Sequence, residues 1–224
     1  MNLSVSAAES LNAAVAGVLA RMFGGVLATL VAAAVINAAG LVPVLFSGIL
    51  GYVFIFLPLL MSLYIGFRGE SMSEGTIKAW YFAFATAMGI SLSMIFAVYT
   101  SASIVMALFG TTVSFGALAG WGYFTKRDLS GWGPFLFAGV IGIVIASVVG
   151  IFVQSTALQM TINVLAILIF LGLTAYDMNR IRDMFWNASE SDIARWQWFG
   201  ALSLYINFIN IFVSLLQLLG GRKD

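Results

Sequence analysis

Phe199-Gly-Ala-Leu-Ser203-Leu-Tyr-Ile-Asn207-Phe-Ile-Asn210-Ile-Phe-Val-Ser214-Leu-Leu-Gln217-Leu-Leu-Gly220 contains no charged residue. It is long enough to cross a bilayer, which takes about 20 apolar residues. It is not uniformly apolar. Ser203, Asn207, Asn210, Ser214 and Gln217 follow one another at intervals of four, three, four and three, so a helix gathers them into one stripe. Leu202, Leu204, Ile206, Phe208, Ile209, Ile211, Phe212, Leu215 and Leu216 occupy the other faces. Against lipid, the amides and hydroxyls of that stripe would lack partners. The pattern therefore predicts a helix inside a bundle, its polar side on protein or on a water-filled cavity. Two roles stay open for the stripe: helix–helix adhesion, at about 0.6 kcal/mol per hydrogen bond, and the lining of a polar pathway.

Working outward, the 224 residues are 62% hydrophobic and only 8% charged, against about 25% charged in soluble domains. The reading is an all-α polytopic membrane protein with seven transmembrane helices. Their apolar segments are 20–40, 44–67, 77–99, 102–124, 133–153, 157–177 and 199–220. Residues 1–19 are expected as an N-terminal tail, 20–220 as one seven-helix transmembrane domain and 221–224 as a C-terminal tail. Before Arg21 there is no basic residue, unlike the n-region of a cleaved signal peptide. The chain has no cysteine and no histidine. Disulfides, thiol chemistry, His-based zinc sites, Ser-His catalysis and a His pH switch are thereby excluded. No cofactor and no nucleic-acid partner is expected.

Pro43 can open the second segment, and Pro58 lies inside it and should bend it. Gly116 and Gly120, and then Gly142, Ala146 and Gly150, follow a small-xxx-small spacing that lets membrane helices approach closely. The charges orient the chain. Arg21, Arg68, Lys78, Lys126, Arg127, Arg180, Arg182 and Arg195 fall on one side of the seven spans, and only Arg222 and Lys223 on the other. Basic connections stay cytoplasmic, which predicts an inner-membrane protein with its N-terminus inside and its C-terminus outside. Trp80, Trp121, Trp132, Trp186, Trp196 and Trp198 flank the inner connections, as an interfacial belt does. In the long connection from Met178 to Trp198, Ser191 could cap a short interfacial helix. The glycosylation sequon Asn187-Ala188-Ser189 should be inert on that side.

Asp177 is the one acid within or at the end of a span. Burying its charge is costly, so it is a functional candidate; an interfacial pair with Arg180 at i, i+3 is the plainer alternative. Arg68, at the inner end of the second segment, can snorkel to lipid phosphates or neutralise Asp177. Catalysis is not expected. An aspartyl intramembrane protease needs two acids sharing a site, and neither a Gly-Xaa-Gly-Asp sequence, a Gly-Xaa-Ser-Xaa-Gly elbow nor a phosphate loop is present.

Around these residues the chain resembles a known family. Gly172-Leu-Thr-Ala-Tyr-Asp177-Met-Asn-Arg-Ile181 is similar to its sixth-helix signature. Gly200-Ala-Leu-Ser-Leu-Tyr-Ile-Asn207-Phe-Ile-Asn-Ile-Phe212 is similar to its seventh-helix signature, and Thr125-Lys-Arg-Asp-Leu-Ser-Gly131 to a loop of its bacterial members. The family is the Bax inhibitor-1, or transmembrane Bax inhibitor motif, family in its bacterial inner-membrane branch, and the resemblance runs from about Leu60 to Gly220. It implies a central C-terminal helix wrapped by the other six. It also implies a pH-sensitive calcium leak, sensed by an aspartate pair on helices six and seven and latched by an arginine of helix two. Asp177 and Arg68 match the first aspartate and the arginine, but Asn207 stands where many members have the second aspartate. Two close carboxylates titrate as a pair; an amide cannot, and it can donate to Asp177 at any pH. The expected function is a cation leak, calcium included, with lost or shifted pH sensing. The alternative is a non-conducting protein that binds other membrane proteins and modulates stress responses or membrane proteolysis, a membrane protease being one such partner.

Overall fold

The computed structural model describes the backbone of residues 2–186 and 190–223 and the side chains of residues 9–69, 71–186 and 192–223. The chain forms helices α1 (Asn2–Ala38), α2 (Val42–Leu45), α3 (Gly48–Arg68), α4 (Glu74–Val98), α5 (Ser101–Phe124), α6 (Trp132–Val153), α7 (Thr156–Trp186) and α8 (Glu190–Leu219). Seven helices among the described residues are long and apolar enough to cross a membrane. The protein is all-α and multi-pass.

The helix boundaries differ from the apolar ones for local reasons. Residues 2–19 are helical and continuous with the first span. Pro43 lies in the first turn of the four-residue α2, and Gly48, the first residue of α3, takes a left-handed φ of 55° where the chain turns into that helix. Pro58 is buried within α3. Ser73 caps α4 by accepting from the backbone N–H of Thr76 at 3.3 Å, with Glu74 in the first turn where the helix dipole favours a negative charge. The sequon lies outside the described residues, as does the Ser191 side chain. The helix that continues into the last span already runs from Glu190.

The chain divides into two compact units, Met1–Thr100 with Ala188–Tyr205 and Arg222–Asp224, and Ser101–Asn187 with Ile206–Gly221. In the first, α1 packs along α4, and α3 packs on α4 as well. The close approach is made at Gly89, where a Cβ would collide with the Thr29 carbonyl and the Ala32 methyl. Tyr81, Phe84, Ile77, Ile65, Met22 and Tyr205 are among the large side chains buried there. Thr29 Oγ1 lies 2.6 Å from the Tyr205 hydroxyl and 2.9 Å from the Ala85 carbonyl.

In the second unit, α7 packs against α5 and α6. Here Gly122 makes the close approach, since a Cβ would run into the Ala175 backbone. The small-xxx-small glycines behave differently: nothing lies within 4 Å of the Cβ positions of Gly116, Gly120 or Gly142. Their spacing marks a smooth helix face, but the tight contacts are made elsewhere. Phe115 and Phe208 meet edge to face at 5.5 Å. Arg182 donates to the carbonyls of Tyr123 at 3.0 Å and Thr125 at 2.6 Å, satisfying acceptors at the end of α5 as a basic side chain does at a helix C-terminus.

α8 is the buried helix. Within its most apolar eighteen-residue window 67% of residues are buried, against 6–33% for the other six spans. α6 stands at the other extreme, with Phe135 and Phe152 77% and 82% exposed. Large apolar side chains at such exposure are what lipid covers.

Candidate functional site

The most buried charge-bearing group of the second unit is Asp177, 8% exposed on α7. It does not end its helix, which continues through Arg180, Arg182 and Asp183 to Trp186. The apolar run stops at residue 177, while the hydrogen-bonded backbone of α7 goes on to Trp186. α8 likewise starts well before Phe199. Both extensions bring Asp177 level with Asn207, and Asn207 Nδ2 donates to Asp177 Oδ2 at 2.7 Å. Asn207 is itself only 3% exposed. The bond joins an amide donor to a carboxyl oxygen, and it is charge-assisted, hence stronger, when that carboxyl is ionised. Arg180, the alternative partner, is exposed.

The other stripe residues fall into several surroundings. Asn210 Nδ2 donates back to the Ile206 carbonyl of its own helix at 2.8 Å. Ser214 is buried and Gln217 exposed. Gln159 Nε2 donates to Gln217 Oε1 at 3.2 Å, and it lies 3.4 Å from Asn163 Oδ1. Asn163 is 4% exposed. Ser203 is half-buried and belongs to the first unit. Arg68 also belongs to the first unit, exposed in the last turn of α3, where its carbonyl accepts from Ser71 Oγ at 2.7 Å. The structure thus brings Asp177 to Asn207 and adds Gln159 and Asn163 to the polar groups of the second unit. Those two were not singled out in the sequence, although an amide pair four residues apart on an apolar helix is a readable signal.

The loop after α5 is tied to the same helix. Asn179 Nδ2 donates to the carbonyls of Gly122 at 3.3 Å and Arg127 at 3.4 Å. Asp128 Oδ1 accepts from the Ser130 backbone N–H at 2.8 Å, which holds its carboxyl below the usual carboxylate range. The motif Thr125–Gly131 is therefore a turn fastened by α7, directly beyond the helical segment that carries Asp177.

With this geometry in place, similarity to known proteins becomes informative. The sequence profile described as "Inhibitor of apoptosis-promoting Bax1" matches residues 12–224. The chain belongs to the Bax inhibitor-1 family. Among curated relatives, a protein of Caulobacter vibrioides is 43% identical over 171 residues, covering 75% of this chain and 68% of the relative. The inner membrane protein YbhL of Escherichia coli is 39% identical over 157 residues, or 69% of this chain and 67% of its own length. A membrane protein of Streptococcus pyogenes is 35% identical over 144 residues, or 64% and 62%. These place the chain in the bacterial branch of the Bax inhibitor-1 family. The stretches on which the resemblance rested, Gly172–Ile181 and Gly200–Phe212, are the two that carry Asp177 and Asn207.

Proposed function

We propose that this Bax inhibitor-1 family protein gives cations, calcium among them, a slow path across a bacterial inner membrane, with Asp177 as the charged station on that path. The observation that supports this most is the 2.7 Å bond from the Asn207 amide to the Asp177 carboxylate, at a position 8% exposed in an apolar bundle. Ionisable groups at such depth are expensive and commonly line ion routes. Calcium takes about six to eight oxygen ligands where it is held tightly. One carboxylate with neighbouring amide oxygens suits passage better than storage.

Asn207 sets the character of the leak. A second acid would share a proton with Asp177 and make the pair titrate as one unit. The amide is neutral throughout, so this paired titration is absent and the pH response is lost or shifted. The reading involves no catalysis. It places the N-terminus in the cytoplasm and the C-terminus outside, following the basic residues.

The test is calcium flux into liposomes carrying the purified protein, between about pH 5 and 8. Wild type should leak with a shallow pH dependence, and Asn207→Asp should make it steep. Asp177→Ala should lower the flux by roughly tenfold, equal to about 1.4 kcal/mol. If none of the three differs from empty liposomes, conduction is refuted. The family membership then fits a non-conducting protein that modulates a membrane protease or a stress response.

A further inference from the structure

In the first unit, three helices bring two cations onto one indole. The Arg21 guanidinium lies over the Trp198 ring, 4.8 Å from its centroid. The Lys78 ammonium lies 5.9 Å from the same centroid. Trp198 is fixed in place, 6% exposed, with Tyr81 packed against it at 5.5 Å and Phe82 at 5.8 Å. Tyr81 in turn donates its hydroxyl hydrogen to the Arg21 carbonyl at 3.0 Å, which pins this turn of α1.

Among the described residues, neither Arg21 nor Lys78 has a carboxylate within ion-pair distance. The guanidinium has one protein acceptor, the Gly17 carbonyl at 3.1 Å, and its buried Nε–H has none. The Trp198 indole N–H is also buried without an acceptor. The ring quadrupole attracts each cation, but two like charges against one ring repel each other. Buried donors without acceptors are rare in native structures. An oxyanion with several acceptor atoms answers both deficits, and the planar fork of arginine matches phosphate geometry. Lys78 is exposed, so the cluster is open on that side. Trp198 and both cations also lie on the side that the basic residues mark as cytoplasmic, where tryptophan seats at headgroup depth and basic residues attract anionic lipid.

We propose that Arg21, Lys78 and Trp198 form a binding site for a phosphate group, supplied either by an anionic lipid headgroup or by a free phosphate. This holds whether or not the protein conducts ions. The purified full chain would be loaded with equal amounts of phosphatidylglycerol and phosphatidylcholine, and the retained lipid read by native mass spectrometry. In a parallel arm without added lipid, unfolding midpoints would be compared in sodium phosphate and in sodium chloride of equal ionic strength. A lipid ligand predicts that wild type retains phosphatidylglycerol selectively and that Lys78→Met and Arg21→Met lose the selectivity. A free phosphate predicts instead that inorganic phosphate raises the midpoint of wild type and not of Lys78→Met. Lys126→Met, a charge removed from the loop after α5, should match wild type in both arms. The proposal is overturned if Lys78→Met behaves as wild type in both arms, or if Lys126→Met loses as much as Lys78→Met. Lys78 is exposed, so its variant keeps the fold and carries the test even where Arg21→Met does not accumulate.

Discussion

Thr29 and Tyr205 show how single polar groups are placed in this chain. The Thr29 hydroxyl reaches the Ala85 carbonyl at 2.9 Å, the Gly25 carbonyl at 3.0 Å and the Tyr205 hydroxyl at 2.6 Å. It has one hydrogen to give, so the Tyr205 O–H supplies a second donor to this buried cluster. Tyr205→Phe keeps the ring against Tyr81 and Phe84 and should cost about 1 kcal/mol of stability. Thr29→Val should cost a similar amount. Together they should cost clearly less than the sum, because the double variant leaves no hydroxyl without its partner. Thermal unfolding in one detergent checks this, and strict additivity would show that the two hydroxyls do not depend on each other. This pair was not legible in the sequence, since one tyrosine in an apolar run reads the same whether it is buried or faces lipid. Asn207, two residues on, was legible because its polar neighbours repeat at helical spacing. The spacing gave its face, and its contact with Asp177 depended on helix lengths that apolarity alone does not define.

At the level of helices, what a sequence reveals is where hydrocarbon ends. α7 passes beyond Asp177 to Trp186, and α8 begins at Glu190, because a helix at the interface keeps its backbone bonds while its side chains become charged. Small residues have the same ambiguity: their spacing identifies a flat strip, but not the partner on it. Gly122 and Gly116 on α5 make the distinction measurable. A methyl at Gly122 would strike the Ala175 backbone, while at Gly116 nothing lies within 4 Å. Gly122→Ala should therefore destabilise by about 2 kcal/mol, an overpacking cost that alanine's helix propensity does not offset. Gly116→Ala should stabilise by up to about 1 kcal/mol. Unfolding midpoints of the two proteins, side by side, should move in opposite directions. A shift of the same sign in both would mean that α5 and α7 do not approach at Gly122.

For the molecule as a whole, the strongest sequence signal beyond apolarity is charge asymmetry, and it makes a prediction about orientation. Seven spans would put the two termini on opposite sides, with eight of the ten basic residues on the side of the N-terminus. The remaining two are held at the end of α4. The Lys223 backbone N–H donates to the Val98 carbonyl at 2.9 Å, and Lys223 Nζ donates to the Phe96 carbonyl at 2.7 Å. Arg222 bridges to Tyr99. Lys223 thus supplies donors to the last carbonyls of a helix, a local role, and competes little with the loops that orient the chain. The native chain has no cysteine, so single-cysteine variants can be labelled without background. In intact spheroplasts a membrane-impermeant maleimide should modify Arg222→Cys and spare Arg127→Cys, which should react only after lysis. Removing Lys126 and Arg127 together should leave this pattern unchanged, since most of the inner basic residues remain. Labelling of Arg127→Cys from outside would invert the chain. It would also move Arg21 and Lys78 to the outer leaflet, where the negative surface potential that favours an anionic headgroup at Trp198 is absent.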